Sequence, residues 1–254
     1  MNLTVAPDAL VALLLASTRI LAWSMIAPPL ATVGLPATVK TVVSVALGLA
    51  VVPLVKSQAP PLDAAAVAGA VVLQVAVGAG LGFVTRLLFA AVESAGALID
   101  VFGGFSLSAA YNPLTTTMTS VFGSFYAMLC TTLIFVSDVH LVVFEGFLRT
   151  FTAVPLDAGV SLDRLGKAVT SGMTQMFVAA LQIAGPLIVV LFVADVALGV
   201  LNRIAPQLNA FSLSFPLKIG LTLLLVGSAL MLMPDTIAHL AEETTSMVSG
   251  VMGT

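Results

Sequence analysis

Few residues in this chain have the type and spacing to do chemistry. His140 and His239 lie far apart and no HExxH or CxxC spacing accompanies them, so the sequence signals no metal centre. His140 is expected as a polar residue in a loop over 138–165. The GAGLGF stretch at 78–83 lacks the GxxxxGK[ST] pattern that cradles phosphates, and its glycines suit helix packing instead. The serines of GGFSLSAAYNP, at 103–113, have no GxSxG elbow and no candidate base. Asn2 and Thr4 fit N-x-T, a pattern short enough to arise by chance. Cys130, the single cysteine, lies in the apolar run FYAMLCTTLIF; it forms no intramolecular disulfide and reads as a small buried hydrophobe. These residues predict neither an enzyme nor a cofactor site.

More chemical content lies in the charges that interrupt apolar sequence. Arg86, Glu93 and Asp100 are spaced seven apart, which on an α-helix puts them on one face with a drift of only ~20° per step. Unpaired charge facing lipid costs several kcal/mol, so this stripe is expected to be buried against protein or to face water. Gly78 and Gly82 form a GxxxG spacing, with Gly96 further on, and such positions let another helix come close. Two readings stand for this helix: an ordinary contact within the chain, or a contact between subunits. Arg19, among Leu15, Ile20 and Leu21, either snorkels to an interface or has a buried partner.

The elements that hold these residues follow from composition. Charged residues make up 8% of the 254-residue chain and the mean hydropathy is +1.16, whereas a soluble domain carries about 25% charge. The chain is therefore an integral membrane protein. Its net charge of −3 and scattered basic residues exclude a nucleic-acid surface. Asp8, Arg19 and the lack of Lys or Arg before the first apolar run argue against a cleaved signal, so the N-terminus is expected to be retained.

Six apolar blocks run over 9–30, 37–55, 64–98, 118–137, 168–200 and 211–233. Each is near or above the ~20 residues that cross a bilayer as a helix, and β-barrel alternation is absent. The predicted fold is all-α: a polytopic membrane protein of about six hydrophobic helical segments arranged as hairpins, some broken or kinked. With no linker to mark a second folded unit, residues 1–254 read as one domain. The third block, helical from Ala64 to Asp100, would reach ~55 Å, nearly twice the ~30 Å hydrocarbon core, so it must tilt, break or leave the membrane. Gly185 and Pro186 in the fifth block predict two segments there, with Asp195 near the end. Lys56, Arg149, Arg164 and Lys167 oppose Lys40, Arg203 and Lys218, a balance too even to set orientation.

One polar segment, LNRIAPQLN at 201–209, separates two very apolar runs. With its continuation, LNRIAPQLNAFSLSFPLKIG (201–220), it resembles the signature of the FliR family of bacterial flagella, whose relatives serve virulence type III secretion. TRILAWSMIAPPLATVGLPATVKTVVSVALGLAVVP (18–53), GLGFVTRLLFAAVESAGALID (80–100), GGFSLSAAYNP (103–113) and ALQIAGPLIVVLFVADVALG (180–199) agree in the same order. The chain departs from the family at Phe102 and Asn112, where Gln and Asp are usual, and at Asp138, Val139 and His140, where Asn-Gly-His is usual.

The resemblance implies an export-gate subunit of the bacterial inner membrane at the flagellar basal body. Such subunits assemble with FliP-like and FliQ-like partners into a cone-like channel, partly lifted out of the lipid plane, that passes unfolded proteins. FlhB-like and FlhA-like proteins and an ATPase accompany the gate. On this reading Pro206 prevents a regular helix through the turn, while Asn202, Gln207 and Asn209 satisfy the freed backbone groups. Arg203 would then lie within reach of Asp195 or of a carboxylate on a neighbouring subunit. Asn202, Arg203, Pro206, Gln207, Asn209, Phe211, Pro216 and Lys218 form the expected assembly motif.

The resemblance also makes Gly103, Gly104, Phe105, Ser106, Leu107, Tyr111, Asn112, Pro113 and Leu114 a plug in the channel lumen. There the bulky side chains would exclude water, and the two glycines would supply mobility. Broken helices and intramembrane charge also suit a secondary transporter, although no repeat of the first three blocks in the last three is visible. A scaffold that does not line the lumen is the third reading.

Overall fold

The computed structural model describes residues 7–28, 30–31, 35–105, 120–156, 162–205 and 210–252. All regular structure among them is helical. In chain order the helices are α1 (Pro7–Ile26), α2 (Ala37–Val55), α3 (Ala64–Gly103), α4 (Val121–Val136), α5 (Val139–Ala153), α6 (Leu162–Ile204), α7 (Ala210–Ala229) and α8 (Met233–Met252). Short 3₁₀ turns, Lys56–Gln58 and Leu230–Leu232, follow α2 and α7.

Five stretches are long and apolar enough to cross a membrane: Pro7–Ile26, Ala37–Gln58, Ala64–Gly103, Asp163–Ile204 and Ser214–Gly250. The pair α4 and α5, bent by 80°, adds a sixth if it serves as one broken span. This agrees with the expected polytopic all-α fold. The two longest helices, α3 with 40 residues and α6 with 43, exceed expectation. At 1.5 Å per residue they reach about 60 and 65 Å, twice the hydrocarbon thickness.

Local chemistry sets several boundaries. Pro7 and Asp8 open α1, where a missing N–H is harmless and a carboxylate meets the positive helix end. Asp63 caps α3 by accepting from the Ala66 N–H at 3.2 Å. The corner between α4 and α5 turns on Asp138, whose φ of 56° is left-handed, a conformation that Asn and Asp tolerate better than other non-glycine residues.

Two expectations are corrected, and one helix that apolarity did not signal is added. His140 is in no loop: it stands in the first turn of α5, whose Val139, Val143, Gly146, Phe147, Thr150 and Phe151 recur at helical spacing on a buried face. The outer side carries the exposed Glu145–Arg149 pair, so total apolarity understated this helix. Amphipathic α8 was hidden in the same way; it buries Met233, Ile237, Leu240, Ala241, Thr244 and Val248. Finally, α6 passes through Pro186 without dividing into two segments. The proline forfeits one bond to the Gln182 carbonyl, and a long apolar helix retains enough other bonds to carry the defect.

Two compact units emerge, one of residues 1–88, 134–173 and 239–254, the other of 89–133 and 174–238. In the first, α1 buries Ala12, Leu15, Ala16, Arg19, Ile20 and Trp23 at spacings of three and four. A Cβ on Gly78 of α3 would overlap the Arg19 carbonyl, and one on Gly82 would stand 3.0 Å from the Trp23 carbonyl. The GxxxG pattern is therefore used within the chain, where it brings α3 onto the α1 backbone. Gly48 of α2 does the same against Ser17. Trp23 stacks on Phe147 with ring centroids 4.4 Å apart and donates to the Thr85 hydroxyl at 3.4 Å.

In the second unit a Cβ on Gly96 would overlap the Phe122 carbonyl, so glycine sets the approach of α3 and α4. Tyr126, Leu187, Leu191 and Val226 are buried there, as is Cys130.

Candidate functional site

Polar groups gather at three places. The first, in the unit built on α1, centres on Arg19, which is fully buried. Its Nε donates to Gln74 Oε1 at 2.5 Å, and both terminal nitrogens donate to the Val154 carbonyl at 3.0 Å. The Thr150 and Pro155 carbonyls accept longer bonds of 3.4 and 3.5 Å. These acceptors are the last carbonyls of α5 and the residues after it, the negative end of the helix dipole. Phe151 lies face-on, with its centroid 4.5 Å from the guanidinium carbon. Gln74 passes the network on, donating to the Leu156 carbonyl at 2.9 Å. Of the two readings open for Arg19, the buried partner is the correct one. The signal for Gln74 was visible, a lone amide in an apolar helix, but not its destination.

The second place is the root of the expected plug segment. Asp100 ends the charge stripe and is its one buried member, 4% exposed, whereas Arg86 and Glu93 are exposed on α3, so the stripe divides between the two alternatives expected of it. The Asp100 carboxylate accepts from the Ser120 hydroxyl and from the Phe122 N–H at 3.1 and 3.2 Å. Ser120 in turn accepts from the Gly123 N–H at 2.8 Å. Ser120 is thus the N-cap of α4, and Asp100 supplies a second acceptor and a negative charge to the same helix end.

On the other strand of this root, the Phe105 N–H bonds the Asp100 carbonyl at 3.0 Å across Gly104, whose φ is 84°. That is the Schellman helix stop, with glycine where left-handed backbone is required. Gly104 therefore ends α3 in a defined conformation, and Gly103 makes room for Thr222, 2.9 Å from its would-be Cβ. Phe105 meets Phe122 edge-on at 5.0 Å. Ser106, Leu107, Tyr111, Asn112, Pro113 and Leu114 lie outside the described residues.

The third place is the α6–α7 hairpin. Asp195 pairs with Lys218 at 2.6 Å, not with Arg203. Arg203 stands eight residues further along the same helix, about 12 Å away, and is exposed. Lys218 could have been matched to Asp195 from sequence, since each lies about nine residues from the turn. Asn202 is exposed on α6, and Pro216 is accommodated inside α7. Pro206, Gln207 and Asn209 lie outside the described residues, as does the side chain of Phe211. Among the described residues no group of His, Cys, Asp and Glu is arranged to hold a metal ion.

Long apolar helices joined by buried polar nodes, with charge left on outer faces, define a multi-pass helical membrane protein. The chain belongs to the bacterial export proteins, family 1, whose model matches residues 10–244. It is 28% identical over 234 residues to the flagellar biosynthetic protein FliR of Escherichia coli, covering 92% of this chain and 90% of that one. It is equally similar, with the same coverage, to the FliR of Pectobacterium carotovorum. The surface presentation of antigens protein SpaR of Salmonella typhimurium is 30% identical over 215 residues, 82% of this chain and 78% of its own. The chain is accordingly a multi-pass inner-membrane subunit of a type III export gate.

Proposed function

We propose that residues 1–254 act as one domain of the flagellar export gate, joining FliP-like and FliQ-like subunits in a channel for unfolded flagellar proteins. FlhB-like and FlhA-like proteins would sit beside it at the basal body, and its own part would be positional, without catalysis or cofactor. The observation that carries this reading is the mismatch between α3 and a bilayer. A helix of 40 residues with exposed Arg86 and Glu93 is ill made for lipid and well made for contact with other subunits. The SpaR match favours a second reading, an injectisome gate with the same channel and different cargo.

In the same proposal, 103–114 plugs the lumen and 202–218 positions the gate. Asp100, Ser120 and Phe122 support the plug because they tie down the α4 end of that segment. Replacing residues 105–111 by Gly and Ser, in the assembled complex, is expected to raise resting ion conductance about tenfold or more, because an apolar constriction blocks ions by excluding water. Patch-clamp or ion-flux recording checks this; unchanged conductance in a correctly assembled complex removes the plug.

A further inference from the structure

The apolar run 176–201 of α6 contains one charged residue, Asp195. Gly199 and Asn202 follow it at spacings of four and three, so the three share a helix face. Although Lys218 reaches its Oδ1, the Asp195 side chain remains 42% exposed. Asn202 is exposed, and a Cβ on Gly199 would meet no neighbouring atom within 4 Å, so nothing among the described residues packs against that glycine. Phe192, Val196 and Val200, each more than half exposed, border the face.

A half-exposed carboxylate is costly against acyl chains, whereas a glycine beside hydrogen-bonding side chains is the usual ground for close helix approach in membranes. We infer that this face seats a transmembrane helix of a different polypeptide in the export gate. That helix presents a small residue to Gly199 and a donor, a hydroxyl or a Lys or Arg cation, to Asp195 and Asn202. An ionised carboxylate only accepts, so its partner must donate. A second copy using the same face would set Asp195 against Asp195 across a two-fold axis, which argues for a heterologous partner. The inference rests on the assembly reading above and adds to it which face meets which chemistry.

The test uses the full chain, tagged, in cells coexpressing FliP-like and FliQ-like partners. Gly199→Leu is expected to leave the level of the chain unchanged while lowering recovered complex about tenfold, by blocking close approach. Gly69→Leu, at another glycine with open space around it, is expected to change neither. Benzoylphenylalanine at position 199, photolysed in cells, should cross-link to a partner subunit, and this decides the matter if Gly199→Leu lowers the chain's own level. Normal assembly of Gly199→Leu, or cross-linking to lipid alone, overturns the inference, as does cross-linking to a second copy of this chain. If the natural chain recovers no partner, the assembly reading itself falls, and this inference with it.

Discussion

Arg19→Met is expected to destabilise the chain by about 2–4 kcal/mol, since buried acceptors that lose their donor keep the full cost of desolvation. The methionine fills much of the space but leaves Gln74 Oε1 and the Val154 carbonyl without the bonds they receive now. It also removes the cation at the C-terminal end of α5, where its partners among the described residues are an amide and backbone carbonyls. Arg19→Lys keeps the charge but not the fork, so it should recover only part of the loss. Thermal unfolding of the detergent-solubilised chain gives the comparison. Gln74→Leu should cost less in the Arg19→Met background than in the natural chain, because its Oε1 is already orphaned there, while its bond to the Leu156 carbonyl is lost in both; strict additivity of the two changes would separate Gln74 from the node. A loss below about 0.5 kcal/mol for Arg19→Met, the range of an ordinary surface change, would mean that water reaches these carbonyls.

Asp100→Ala carries the second large effect. It strips the first turn of α4 of the carboxylate that accepts from the Phe122 N–H and the Ser120 hydroxyl, leaving Ser120 as sole cap. The expected loss is about 1–3 kcal/mol, the range for removing a helix cap together with a charge-assisted bond. Asp100→Asn retains an acceptor without the charge and should fall between. Limited proteolysis adds a local readout: cleavage around 105–122 should quicken in Asp100→Ala while sites in α1 and α2 hold their rates. Equal acceleration everywhere would make Asp100 a general core residue instead of the anchor of this segment.

Much of the fold was legible because lipid imposes a coarse rule: long apolar runs become helices, and α1, α2, α3 and α6 follow it. Amphipathic α5 and α8 were not legible by that rule, since their outer sides are polar and only a stripe is buried. Proline at 186 misled for a related reason. Its local rule is real, but the many backbone bonds of a 43-residue helix outweigh one lost bond.

At the site, spacing put Arg86, Glu93 and Asp100 on a common face without revealing that Asp100 turns inward. Its fate depends on Ser120 and Phe122, some twenty residues away, which no local pattern ties to it. Arg19 is the same kind of case, since apart from Gln74 its acceptors are backbone carbonyls and carry no residue signature.

The central claim is that this chain works as a subunit inside a larger export gate. The most direct measurement is a pull-down of the tagged full chain in mild detergent from cells coexpressing FliP-like and FliQ-like subunits. The account predicts a large, stable complex containing all three. A monodisperse chain that carries no partner would contradict it.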